Sequence, residues 1–262
     1  MNTTPSPSIT TTTPIAVVTG GSRGLGRNTA LALARKGNDV ILTYRSQQAE
    51  AQAVVAEIAT LGRRAVALQL DVADSSNFAA FAAQVRQALD AQWQRTHFNF
   101  LVNNAGTGTH ASLMETTEAQ FDALVNIHFK GVFFLTQALL PLMADGGRIV
   151  NVSTGLTRFA LPGYAAYASM KGAVEVLTRY MAKELGPRGI AVNVVAPGAI
   201  ETDFGGGAVR DNAQLNSFVA TQTALGRAGV PDDIGPVIAA LLAPDNRWVN
   251  AQRIEASGGM FL

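Results

Sequence analysis

The 262-residue chain contains no cysteine, which excludes disulfides, thiolate-held metals and a cysteine nucleophile together. It also has almost no net charge. Twenty Lys and Arg stand against 19 Asp and Glu, a formal balance of +1, so no electrostatic surplus draws it to nucleic acid or to an anionic membrane. Histidine is scarce: His97, His110 and His128 are the only ones, and no H-E-x-x-H or comparable spacing marks a metal site. Each reads as a surface or satisfied core side chain. No apolar run reaches membrane length. The longest, from Gly131 to Ala144, is interrupted by Thr136, Gln137 and Pro141; it falls short of the ~20 residues that span a bilayer and reads as a buried helix. The first fourteen residues carry neither a charged side chain nor an apolar stretch and so lack both parts of a secretory signal. Residues 1–13 are expected to be a disordered tail, 14–262 a single domain, and the compartment the cytoplasm.

What the chain does have is a 48% hydrophobic content, enough for a substantial core. Short β-branched runs, IAVVT, DVILTY, AVALQL, FNFLVN, RIVNVS, IAVNVVA and, more weakly, QRIEA, alternate with longer helix-like segments. The runs are apolar nearly throughout rather than at every second residue, the mark of strands buried on both faces. The expected architecture is α/β: one doubly wound domain on a seven-stranded, mainly parallel sheet. Segments 46–61 and 75–93 have helical apolar spacing, and Gly37 and Gly62 stand where helices should stop. Ligands of such sheets bind beyond the carboxyl ends of the strands. The residues at those ends are therefore the ones to inspect.

After the first run comes VVTGGSRGLGRN. Gly20 to Gly24 reads as G-x-S-x-G, a turn that would mount Ser22 as a nucleophile; with Gly26 added, it reads as a glycine loop that brings a helix N-terminus against a pyrophosphate. The nucleophile reading would need one of the three histidines and an Asp such as Asp71 or Asp74, and it has no use for Gly26. The cradle reading makes a prediction about the end of the second strand, where NAD sites usually keep an acid for the ribose hydroxyls. Here Tyr44-Arg45-Ser46 stands instead. With Arg23 in the loop, Arg45 offers a 2′-phosphate charge-assisted bonds that a carboxylate would oppose, so the pattern favours NADP(H).

Tyr167 and Lys171 lie four apart in YAAYASMKGAVEVL, so on a helix they share a face. A free phenol has a pKa of about 10; a nearby ammonium favours phenolate and brings it toward the working range. Tyr164 has Ala168 four residues on, and no such partner.

Together these stretches resemble the short-chain dehydrogenase/reductase family. TGGSRGLG is similar to its T-G-x-x-x-G-x-G loop, NNAG to its fourth-strand motif, YASMK to its Y-x-x-x-K and PGAIET to its P-G-x-x-x-T, over roughly Pro14 to Leu262. Members like the 3-oxoacyl-[acyl-carrier-protein] reductases come nearest in pattern. The resemblance implies a Rossmann-type fold in which Ser22 belongs to the phosphate loop. It implies hydride transfer between NADP(H) and a small-molecule carbonyl or secondary alcohol, with Tyr167 as general acid/base and Lys171 lowering its pKa and binding the nicotinamide ribose. Asn126 falls to the asparagine that organises a relay water. Cofactor contacts are implied for Gly20, Gly21, Ser22, Arg23, Gly24, Leu25, Gly26, Tyr44, Arg45, Ser46, Asp71, Val72, Asn104, Ala105, Gly106, Tyr167, Lys171, Pro197, Gly198, Ile200 and Thr202. The hydroxyl that polarises the carbonyl is usually a serine thirteen positions before the tyrosine. That position is Thr154, with Ser153 beside it, and because neighbours on a strand face opposite ways, only one can serve. Spacing favours Thr154; side-chain identity favours Ser153.

Gly205-Gly206-Gly207 offers hinge freedom for a lid carrying Phe204, Val209 and Phe218, with Phe159, Leu161 and Tyr164 as the opposite wall. Segments 121–143 and 164–185 are apolar around much of their circumference, which with the resemblance implies a homodimer or homotetramer. The carboxyl-terminal EASGGMFL is expected to add a contact in the tetramer. The alternative reading is a non-catalytic dinucleotide-binding regulator or scaffold on the same fold. Against it, Tyr167, Lys171 and Asn126 would be superfluous for binding alone.

Overall fold

The computed structural model describes residues 13–262, so the expected tail at 1–13 lies outside the described residues except for Thr13. Strands β1 (Ile15–Val18), β2 (Asp39–Tyr44), β3 (Ala65–Gln69), β4 (Phe98–Asn103), β5 (Met143–Val152), β6 (Ala191–Pro197) and β7 (Arg253–Ala256) form one sheet. Its order is β3-β2-β1-β4-β5-β6-β7, and every neighbouring pair is parallel. All seven runs read in the sequence are strands of this sheet.

The helices are α1 (Gly24–Arg35), α2 (Gln48–Thr60), α3 (Phe78–Trp93), α4 (Glu118–Leu124), α5 (Gly131–Leu139), α6 (Ala165–Leu185), α7 (Ala208–Asp211), α8 (Ala213–Thr221) and α9 (Gly235–Leu241). Gly37 and Gly62, at φ 87° and 72°, end α1 and α2 in the left-handed region that glycine enters without strain.

Continuous apolar runs work because alternate residues of each strand serve different cores. On β1, Ala16 and Val18 join one cluster with Leu31 and Leu33 of α1, Ile58 of α2 and Ile238 of α9. Ile15 and Val17 join the other, with Phe81 and Leu89 of α3, Leu135 of α5 and Met181 of α6. The stretch Glu118–Leu142 is 25 residues long and apolar enough in composition to cross a membrane. Its Leu135 and Leu139 are built into the second core, the position of a core helix.

Within that second layer lies a polar ladder. Asn103 Nδ2 donates to Thr136 Oγ1 at 3.0 Å and to Asn151 Oδ1 at 2.8 Å, and Asn151 Nδ2 donates to Thr178 Oγ1 at 2.8 Å. All four residues are buried. The chain leaves β3 at one edge and re-enters beside β1 as β4, so the sheet's switch point, and the crevice that goes with it, lies between β1 and β4.

Candidate active site

At the switch point the glycine loop is fixed by close backbone approach. A Cβ on Gly26 would fall 2.0 Å from the Gly20 carbonyl oxygen and one on Gly21 2.7 Å from Leu42 Cβ, so neither position admits a side chain. Asn104 clasps the loop: its Nδ2 donates to the Thr19 carbonyl at 2.9 Å and to that of Gly20 at 3.3 Å. Thr19 Oγ1 in turn accepts from the amides of Asn104 and Ala105.

The first turn of α1 has no acidic residue and no side-chain cap at Arg23. Its N–H groups are left for an anion, which the positive end of the helix favours. Arg23, Arg45 and Ser46 are exposed on the same rim, and neither arginine has a carboxylate partner among the described residues. Tyr44, by contrast, is buried in the first core. Asp71 Oδ1 accepts from the Ala73 amide at 2.9 Å, shaping the turn that continues into Val72. These residues fit a dinucleotide with an extra phosphate on its ribose. That chemistry accounts for free helix N–H groups, two free guanidinium groups and no acid at one place.

Across the crevice, β5 ends in Ser153 and Thr154, whose hydroxyls diverge as strand geometry requires. Ser153 Oγ donates to Glu175 Oε1 at 2.6 Å. Thr154 Oγ1 accepts from the Leu156 amide at 3.3 Å and lies near enough to the Tyr167 phenol to lower its pKa. The turn carrying Thr154 is held from behind by a charged scaffold. Glu175 Oε1 also accepts from Thr157 Oγ1 at 2.7 Å and from Arg253 Nε at 2.9 Å, while Arg253 Nη2 donates to the Thr154 carbonyl at 3.2 Å. Arg158 ties the same corner to Glu255 at 2.6 Å.

Tyr167 and Lys171 share the buried face of α6, as their spacing required. Lys171 Nζ donates to the Val152 carbonyl at 2.8 Å and lies 5.8 Å from the centre of the Tyr167 ring. Burial lowers the ammonium to about 8, which still leaves it mostly charged near neutrality. Burial drives the phenol above its usual value, the Thr154 hydroxyl pulls it back, and nearby Tyr164 raises it again. The dominant cause is desolvation, which disfavours phenolate.

Asn126 sits in a π-helical turn, Val125–Lys130, between α4 and α5, and its carbonyl accepts from the Gly131 amide. Such one-turn widenings mark functional sites in many helices. The residue of this turn that reaches Tyr167 is His128, its ring edge-on with centroids 5.2 Å apart. It is buried with 1% exposure; its Nε2 lies 2.7 Å from the Thr107 carbonyl and its Nδ1 has no partner among the described residues, so the expectation of a satisfied core histidine is met at one ring nitrogen only.

Beyond β6, Pro197 and Gly198 lead to Ile200, bridged to Gly229, and to Thr202, whose Oγ1 caps the Phe204 amide at 3.2 Å. Gly205, Gly206 and Gly207 follow with φ of 62°, 74° and 79°, three left-handed residues in a row, as a lid hinge needs. Phe204 leans over Tyr167 at 5.7 Å. The opposite wall differs from expectation. Phe159 stacks on Phe261 at 4.6 Å, and Phe261 meets Phe218, so these rings form one aromatic cluster with the carboxyl terminus rather than facing walls. Phe261 is engaged within its own chain. Leu161 and Tyr164 do line a pocket of about 330 Å³ with Leu113, Leu156 and Ala168.

The chain is similar to known proteins over nearly all its length. The family profile described as enoyl-(acyl carrier protein) reductase matches residues 20–261. The hydroxynaphthalene reductase-like protein Arp2 of Metarhizium majus is 35% identical over 256 residues, covering 94% of each chain. The promiscuous reductase LugOII, which catalyses keto-reduction at C1 during lugdunomycin biosynthesis, superposes with a TM-score of 0.90 at 39% identity, over 95% of this chain and 98% of that one. The landomycin C-6 ketoreductase LanV, solved with bound NADP and rabelomycin, gives a TM-score of 0.86 at 34% identity, over 95% and 96% of the two chains.

Proposed function

The chain belongs to the short-chain dehydrogenase/reductase family, and from that premise we propose which groups it uses and which ketones it takes. The reaction class is NADP-dependent transfer of hydride to a carbonyl, reversible at the secondary alcohol. The matched relatives are reductases, and nothing favours the non-catalytic reading. Bound NADPH supplies the hydride. The phosphate loop Gly20 to Gly26 holds the pyrophosphate on the α1 N-terminus, and Arg23 and Arg45 take the 2′-phosphate. Asp71, Val72, Ala105 and Gly106 flank the adenine side; Pro197 to Thr202 flank the nicotinamide. Thr154 donates a hydrogen bond to the carbonyl oxygen, and Tyr167 gives that oxygen its proton. Lys171 keeps a positive charge beside the phenol and binds the nicotinamide ribose. Ser153 supports Thr154 through Glu175 rather than touching substrate.

The substrate is a fused-ring aromatic ketone. The observation that carries this reading is the apolar pocket of about 330 Å³ walled by Leu113, Leu156, Leu161 and Tyr164, whose lining includes the sequence neighbours of Tyr167. The reductases of hydroxynaphthalene and of angucycline ketones among its relatives support it. Steady-state kinetics on bicyclic and tricyclic ketones and on an acyclic 3-oxoacyl thioester test it. The ring ketones are expected to lead in kcat/KM; a thioester preferred about tenfold would overturn the reading. NADPH is expected to bind at least about tenfold better than NADH, about 1.4 kcal/mol, and Arg45→Asp to narrow or reverse that ratio.

We also propose a cytoplasmic homo-oligomer, a tetramer or dimer. Phe133 and Phe134 of α5 and Val176 and Tyr180 of α6 leave large apolar surface uncovered, suited to a two-fold contact with a second copy. Sedimentation showing a monomer at micromolar concentration would refute it.

A further inference from the structure

Arg158 closes the short turn that Thr154 opens, its amide donating to the Gly155 carbonyl at 2.9 Å. Its guanidinium then spans two other parts of the fold. Nε and Nη2 fork onto Glu255 of β7 at 2.8 and 2.6 Å, while Nη2 and Nη1 donate to the carbonyls of Met260 and Phe261 at 2.5 and 2.9 Å. The residues so held form a strap along the stretch that follows α8. Met260 bridges Thr223 in antiparallel fashion, the amides of Ala224 and Leu225 donate to the Gly259 and Gly258 carbonyls, and the Phe261 amide donates to that of Gln222 at 2.9 Å. Met260 also shares a buried cluster with Val219 of α8. Phe261 sits at φ 51°, a left-handed conformation that a bulky residue keeps only where its surroundings over-determine it. The bond from Arg158 to its carbonyl is part of that determination.

We propose that Arg158 is a positioning residue for the substrate: by clasping the carboxyl-terminal strap, it pins the far end of the lid to the turn that carries Thr154. The lid leaves β6 through Gly205, Gly206 and Gly207, all left-handed, and returns through the strap, so it swings from one pliant end against one fixed end. Ring contacts run along the same path. Phe218 of α8 lies 6.4 Å from Phe261, Phe261 lies 4.6 Å from Phe159, and the Arg158 guanidinium covers the Phe159 ring at 5.3 Å. Without the clasp, Thr154 is still held by Arg253, and Arg253 by Glu175. The loss therefore falls on how the lid holds substrate.

This rests on the reductase reading above, and one of its readouts needs no substrate. Arg158→Met keeps the apolar stem, removes the donors and leaves Glu255 paired with Arg253 at 2.9 Å, so no carboxylate is stranded. In the NADPH complex, hydrogen exchange at the Ala224, Leu225 and Phe261 amides is expected to quicken about tenfold while the β1 amides hold. Melting temperature and NADPH affinity should stay near those of the unchanged enzyme, since exposed ion pairs add little to stability. With tetralone, a bicyclic ketone, as substrate, KM should rise about tenfold and kcat fall no more than about threefold, the pattern of lost binding rather than of a lost transition-state contact. Unaltered exchange, or quicker exchange with unaltered KM, overturns the proposal. So does a joint fall in melting temperature and NADPH affinity, which would make Arg158 purely structural. An unchanged enzyme that reduces no ketone refutes the reductase reading instead, and the exchange result still decides whether the clasp exists.

Discussion

At the β1–β4 end of the rim the site is shaped by main chain. Glycines pack against backbone, with Gly26 leaving no room for a Cβ beside the Gly20 carbonyl, and uncharged Thr19 and Asn104 hold the loop. At the β5–β7 end the same rim is shaped by long charged side chains: Glu175, Arg253, Glu255 and Arg158 lock the turn around Thr154. The difference follows from what each end must meet. A dinucleotide brings its own charge, so its cradle needs free N–H groups and close approach. A neutral carbonyl brings none, and the hydroxyl that polarises it must be held to within a fraction of an ångström by the protein.

The comparison breaks most sharply at the charged end. Thr154→Ala is expected to lower kcat by about 10²-fold or more, the usual loss when one preorganised donor to an oxyanion is removed. Thr154→Ser should stay active, and Ser153→Ala, losing only its bond to Glu175, should cost about 1 kcal/mol of stability and little rate. The opposite order of the two alanine variants in stopped-flow turnover, with NADPH bound equally, would move the role to Ser153. At the main-chain end, Gly26→Ala forces the loop open; overpacking of this kind costs about 1–3 kcal/mol, so NADPH affinity should fall by roughly 10- to 100-fold in a fluorescence titration. The smallest effect belongs to Gly205→Ala. Its Cβ would meet nothing within 4 Å, so only the left-handed backbone resists, at about 1–2 kcal/mol. KM should rise a few-fold, with NADPH affinity untouched. Loss of cofactor binding in that variant would show that the lid and the cradle are one unit.

The cradle was readable because its cause is local. Gly20, Gly24 and Gly26 are neighbours in sequence, and the seven strands announced themselves by composition. Tyr167 and Lys171 were legible for the same reason, being one helical turn apart. The scaffold around Thr154 was not: Glu175 and Arg253 meet from 78 residues apart, and a lone Glu on a helix reads as solvated. His128 stood two residues after Asn126 in an apolar stretch. A polar residue in a buried helix was a signal, but which residue of the turn would face Tyr167 depended on the π-helical widening at Val125–Lys130, which no periodicity foretells. The phenol's raised pKa was hidden too, since burial of that magnitude is a property of the assembled crevice.

The ladder of Asn103, Asn151, Thr136 and Thr178 has a consequence for assembly. Asn103 and Asn151 are register partners across β4 and β5, and each amide also reaches a threonine on a different helix. Apolar parallel strands would slide past one another with little penalty, since one Val resembles the next. A slip of β5 by one residue here swings the Asn151 amide to the opposite face of the sheet and breaks its bonds to Asn103 and Thr178, at about 1–3 kcal/mol for each buried polar group left unpaired. The ladder therefore acts as a combination lock that opens only at the register placing Ser153 and Thr154 at the end of β5, and misaligned chains reveal themselves by unpaired amides before any substrate arrives.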